Sequence, residues 1–158
     1  PPDKQEYKEQ ALAMFMEYYA LHSEDKTAAY DGIPELLSSA RKKGYKLGVI
    51  TNKAHNIAQQ VVPHFLGDGV FDYIRGLDEK IKAKPCPDGA LDVVERLGVQ
   101  PSEVLYIGDS GVDMQTAVNA GFTPCGVLWG FRTEKELTDN GAKYIAHKPS
   151  DILEITEK

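Results

Sequence analysis

The 158-residue sequence predicts an α/β fold, a three-layer arrangement in which a parallel sheet is covered by helices on both faces. Two observations carry this. From residue 46 onward, short β-branched apolar runs alternate with helix-length amphipathic stretches, and connections of that length suit parallel rather than hairpin pairing. The turns after several of these runs hold Gly, Asp, Ser and Thr, as expected where strands hand over to helices at a ligand-binding edge.

In chain order, Lys4 to His22 repeats apolar residues at spacings of three and four (Tyr7, Ala11, Met14, Phe15, Tyr18, Tyr19), which predicts an amphipathic helix with a core-facing stripe. Pro34 to Lys43 is a second helix, with proline early and Gly44 at its end. Then follow a buried strand at Lys46 to Thr51, a helix at Lys53 to Phe65, a strand at Phe71 to Arg75 and a helix at Asp88 to Leu97, which Asp88 is expected to cap. A buried strand at Val104 to Ile107, a helix at Gly111 to Ala120, a strand at Thr123 to Val127 and a helix at Thr133 to Asp139 come next. A strand at Ala142 to Ala146 and a helix at Ser150 to Ile155 complete the series. The one boundary is expected near residues 26–32, separating a first helical unit (1–30) from the sheet-forming unit (31–158).

Composition narrows the function. The chain is 42% hydrophobic and 27% charged, with a net charge of −6, which gives no basic surface for nucleic acid. No apolar run is long enough to cross a bilayer, and the first residues lack a signal peptide's pattern. Cys86 and Cys125 stand far apart without metal-ligand spacing, which favours free thiols and a reducing compartment, so a soluble cytoplasmic protein is expected.

The most informative stretch is 105–113, Leu-Tyr-Ile-Gly-Asp-Ser-Gly-Val-Asp. A strand runs into a Gly-Asp-Ser turn and brings Asp109 and Asp113 toward one crevice. Two carboxylates that close repel unless a cation or proton intervenes, and hard oxygen ligands suit Mg2+. The alternative is that Asp109 and Ser110 merely cap the next helix, with Asp113 favouring its dipole. Thr51 and the Asn52 backbone open a helix and could bind phosphate oxygens, or Thr51 could be a simple N-cap. Lys84, between stiffening prolines, could hold an ammonium group over the crevice, or could be a solvated lysine, as Lys82 is expected to be. Trp129 to Arg132 could close the crevice or pack beneath a loop, and packing is favoured.

Together, Val-Ile-Thr-Asn-Lys (49–53), Lys-Pro-Cys-Pro-Asp (84–88), the 97–114 segment, Ala-Val-Asn-Ala-Gly (117–121) and Gly-Val-Leu-Trp-Gly-Phe-Arg (126–132) resemble the haloacid dehalogenase superfamily, in particular its phosphoglycolate phosphatase-like branch. The resemblance implies a Rossmann-like core preceded, in residues 1–30, by the closing helix of a helical cap. It implies that Thr51 binds phosphate, Lys84 bridges nucleophile and phosphate, Asp109 ligates Mg2+ and Asp113 supports it. The implied activity is Mg2+-dependent hydrolysis of a small phosphorylated metabolite through an aspartyl phosphate, with a sugar-phosphate mutase as a weaker possibility.

The family's opening Asp-x-Asp strand is not found; Asp31-Gly32 and Asp72-Tyr73 do not fit it. Its place is between the strands ending at Thr51 and Ile107, so these are expected to stand roughly 10 Å apart, with inner-edge groups each costing about 1 to 3 kcal/mol if left dry. The expectation is therefore a C-terminal fragment of a phosphatase, inactive without its nucleophile, in which strand exchange or an oligomer could fill the centre of the sheet. The competing expectation is a non-catalytic phosphate-binding or assembly module.

Overall fold

A computed structural model describes residues 4–22 and 27–157. Its elements are α1 (Lys4–His22), α2 (Ile33–Lys42), β1 (Gly48–Ala54), α3 (His55–Leu66), β2 (Tyr73–Leu77), α4 (Asp88–Leu97), β3 (Leu105–Gly108), α5 (Gly111–Ala120), β4 (Thr123–Val127), α6 (Glu134–Asp139), β5 (Tyr144–Ala146) and α7 (Asp151–Ile155). The alternation and the parallel pairing are as the sequence predicts. The expected boundary at 26–32 begins outside the described residues.

The strands form two parallel sheets, β1-β2 and β3-β4-β5. In the first, Gly48, Val49 and Ile50 face Tyr73, Ile74 and Arg75; the register then shifts, and Ala54 faces Leu77. Two extra residues are thus accommodated on β1 between Ile50 and Ala54, a bulge of the kind that re-aims side chains beside functional sites. The bulge rests on Gly76, where an added Cβ would lie 2.6 Å from the Lys53 carbonyl oxygen. Consequently the predicted helix start at Lys53 is corrected: the strand runs to Ala54, and α3 begins at His55 with Ala54 as N-cap.

Between the two sheets lies a cleft of about 930 Å³, lined by Val49 and Ile50 on one side and Leu105, Tyr106 and Ile107 on the other. This corrects the expectation that both strands are wholly buried, since Ile107 is 43% exposed and Val49, Ile50 and Leu105 are half-buried. α4 spans the two halves. Its Ala90 and Val94 pack in one buried cluster with Tyr106 of β3, Ala117 and Ala120 of α5, and Phe122, and Ile50 of β1 rests against the same cluster. A second cluster, Cys125, Val127, Ala146, Ile152 and Ile155, closes the far face of the three-stranded sheet.

The N-terminal helix departs from expectation. Tyr7, Met14, Phe15 and Tyr18 are each more than half exposed, so the predicted core-facing stripe is not buried. α1 meets the α/β body where the Lys53 ammonium bonds the Tyr19 hydroxyl and lies 4.6 Å from that ring's centre. Two further corrections are local: the N-cap of α4 is Pro87, with Asp88 in its first turn, and β2 lies two residues later than predicted.

Candidate active site

The carboxyl end of β3 sets the centre of the site. Gly108 ends the strand, and an added Cβ there would lie 2.2 Å from the Asp113 Cβ, so only glycine lets the first turn of α5 fold back so tightly. Ser110 is the N-cap of α5. Its side chain accepts from the Asp113 N–H at 3.4 Å, while its own N–H donates to Asp113 Oδ2 at 3.1 Å. This reciprocal capping box satisfies otherwise orphaned helix donors. The Ser110 hydroxyl adds a 2.6 Å bond to the same Oδ2.

The other oxygen of Asp113 faces Lys84. The Lys84 Nζ donates to Asp113 Oδ1 at 2.5 Å, and the two side chains are only 16% and 10% exposed. The solvated-lysine alternative is thus excluded for Lys84, whereas Lys82 is exposed as predicted. The capping reading of the 109–113 turn is met through Ser110 and Asp113, and Asp113 pairs with the Lys84 ammonium as well. Burial pushes the hydroxyl of Tyr106, on β3, far above the usual phenol range, with the Asp113 charge adding to the effect.

From Lys84 the network continues to β1. The Lys84 backbone N–H donates to Asn52 Oδ1 at 2.8 Å, which ties the bulged end of β1 to the 84–88 loop. Thr51 does not cap α3; its Oγ1 accepts the Lys53 N–H at 3.1 Å within the bulge. The side chain of Asn52, rather than its N–H at a helix start, makes the contact with the site. Thr51 itself is joined to Lys84 only through its neighbour.

Asp109, between β3 and α5, is half-buried. Its Oδ2 accepts the Phe131 N–H at 3.2 Å, and Gly130 sits so close that an added Cβ would be 2.3 Å from the Asp109 Cβ. The packing reading of Trp129 to Arg132 is half right. Trp129 packs on the second core cluster, but the side chain of Phe131 is 87% exposed and its backbone serves Asp109. The bulge at Thr51 and this bracket at Gly130 were not anticipated; the run of Gly-Val-Leu-Trp-Gly-Phe-Arg held the only signal for the second.

Lys84 and Asp113 therefore meet at the carboxyl edge of β3, with Asn52 of β1 tied to the Lys84 backbone and Asp109 in the same turn that leads into α5. Among the described residues there is no group of three or more His, Cys, Asp or Glu arranged to hold a metal. Two neighbouring carboxylates fit a cation that completes its shell with water and phosphate oxygens, the usual habit of Mg2+, better than one needing an all-protein cage. Among the described residues no helix is long and apolar enough to cross a membrane.

Known proteins share this family and fold. The family model of haloacid dehalogenase-like hydrolases matches residues 2–127. A phosphoglycolate phosphatase of Pseudomonas putida is 33% identical over 146 residues, covering 92% of this chain and 51% of that protein. The pyrophosphatase PpaX of Listeria monocytogenes is 28% identical over 149 residues, covering 94% of this chain and 69% of that protein. Among solved structures, a Lactobacillus delbrueckii subsp. bulgaricus protein provisionally named a phosphoglycolate phosphatase superposes with a TM-score of 0.90 at 36% identity, over 96% of this chain and 63% of its own. The chain thus spans about half the length of the Pseudomonas relative and under two thirds of the Lactobacillus one.

Proposed function

Because the chain belongs to the haloacid dehalogenase-like hydrolases, we propose that it supplies the cation-, lysine- and phosphate-binding side of a phosphomonoester hydrolase for small phosphorylated metabolites, with phosphoglycolate the first substrate to test. The observation that carries this reading is the buried Lys84–Asp113 pair at the turn that also bears Asp109. A lysine held by a carboxylate at a sheet's carboxyl edge is placed to meet the charge of a transferring phosphoryl group.

In the intact enzyme a carboxylate oxygen attacks phosphorus, the alcohol leaves with a proton, and water then cleaves the aspartyl phosphate to free inorganic phosphate. The attacking carboxylate is assigned to a strand from outside the described residues that enters the cleft between β1 and β3. Support comes from the two facing strands, which do not pair with each other, and from their apolar lining. Asp109 would hold Mg2+ with Asp113 beside it, and the bound ion would neutralise phosphate and carboxylate charge together. Lys84 adds a fixed positive charge to the phosphoryl oxygens. Ser110 and Asp113 hold that ammonium in place, while Thr51 and Asn52 bind the remaining phosphate oxygens. The half-buried Cys86 and buried Cys125 are both free thiols, and the cytoplasm is the proposed compartment.

The test is phosphate release from phosphoglycolate and a panel of small monoesters, with Mg2+ and with EDTA. The 158-residue chain alone is expected to be inactive, and the same chain joined to a segment bearing an Asp-x-Asp strand to be active. Asp109→Asn and Lys84→Met should each remove most of that activity. Full activity in both variants would refute the assignment, and phosphate binding without turnover in the joined protein would favour a non-catalytic module.

A further inference from the structure

We infer that the turn Trp129–Gly130–Phe131 is a positioning element that fixes the carboxylate of Asp109 for a divalent cation; the inference rests on the metal role proposed above for Asp109. Three observations converge on it. The Phe131 N–H donates to Asp109 Oδ2 at 3.2 Å. Gly130 lies against Asp109 so closely that a methyl group would fall 2.3 Å from its Cβ and 2.4 Å from its Oδ2. The turn itself is anchored on both sides: Leu128 N–H donates to the Ala146 carbonyl at 3.0 Å, Trp129 packs on the core cluster of Cys125, Val127 and Ala146, and Thr133 caps α6 immediately afterwards.

A carboxylate on a short side chain has two χ angles to fix before it can present an oxygen in one direction. The Phe131 N–H takes one oxygen and the Gly130 backbone blocks sideways rotation, so the ligand is oriented before any ion arrives. Partners of this kind set metal affinity without touching the metal. The contact is made by backbone, so it needs no particular side chain at 131. That accounts for an aromatic residue standing 87% exposed at the rim while its amide does the positioning.

The experiment measures Mn2+ binding to the 158-residue chain by electron paramagnetic resonance of the free ion, together with the Phe131 amide resonance in 15N-labelled protein. Gly130→Ala, which crowds Asp109, and Phe131→Pro, which deletes the donor, are expected to weaken Mn2+ binding by about ten-fold or more. Phe131→Ala keeps the N–H and should bind within about two-fold of the unaltered chain, a rescue that bulk destabilisation would not give. Asp109→Asn should abolish binding and move the Phe131 amide signal. If Gly130→Ala and Phe131→Pro bind Mn2+ as the unaltered chain does, while Asp109→Asn does not, the positioning role is overturned and the metal assignment stands. If Asp109→Asn and the unaltered chain behave alike, whether both bind or neither does, the metal assignment falls and the inference falls with it.

Discussion

The Lys84 ammonium sits 2.5 Å from Asp113 Oδ1, and the carboxylate it meets is the same one that closes the N-terminus of α5. A single side chain thus fixes a helix and a cation. Removing the cation should expose this double duty. Lys84→Met is expected to destabilise the fold by about 3 kcal/mol, because it strands a charge that is nearly out of water. Lys84→Met combined with Asp113→Asn should cost clearly less than the two single changes added together. Urea unfolding of the four proteins checks the cycle, and strict additivity would contradict a direct pair.

Gly108 is the steric counterpart of that pair. With no room for a methyl group against Asp113, Gly108→Ala should destabilise by roughly 1 to 3 kcal/mol, in the range for overpacking a tight site. The joined protein of the proposed function should lose phosphate release as the helix start shifts. Thermal melting and phosphate release, measured on the same preparation, test both halves of the expectation.

Asp72 ties the first sheet to α2. Its carboxylate accepts Arg41 Nη1 at 2.8 and 2.9 Å and the Leu47 N–H at 2.7 Å. Burial pushes its pKa up, but the Leu47 N–H and the Arg41 guanidinium outweigh burial and hold it below the usual carboxylate range. A depressed folded pKa means that the stabilisation is complete above the unfolded value and is lost as pH falls through the folded one. Asp72→Asn should therefore cost about 1 kcal/mol at pH 7, with the difference from the unaltered chain shrinking in acid. Unfolding curves between pH 7 and pH 3 will show whether the gap narrows.

The two thiols should behave differently. Burial pushes the Cys125 thiol up to about 11, and its residue has no exposed surface, so at pH 8 it lacks both thiolate and access. Native chain treated with iodoacetamide is expected to be alkylated at Cys86 alone, with Cys125 reacting only in denaturant. Peptide mass mapping decides this, and rapid native labelling of Cys125 would mean that the second core cluster opens readily.

Element type was legible throughout the sheet-forming part, because period and punctuation agreed. α1, α4, α5 and β4 occupy the residue ranges predicted for them. Errors gathered where tertiary contacts overrule local pattern. Thr51 and Asn52 read as a helix start, since Thr and Asn favour caps, yet pairing with β2 and the support of Gly76 carry the strand on to Ala54. The stripe on α1 read as core, but periodicity says which residues share a face, not what that face meets. Asp109, Asp113 and Lys84 could be singled out from spacing and residue type, and the structure pairs Lys84 with Asp113. The amide of Phe131 could not, because a backbone donor leaves no mark in residue identity.

The two sheets share no ladder, and α4 spans them with Ala90 and Val94. No strand ladder crosses the cleft, and part of the contact between the two halves is made by small side chains on α4, like a shim between plates. Evolution could retune the spacing across the cleft by changing one such residue on α4, with Lys84, Asp109 and Asp113 left as they are.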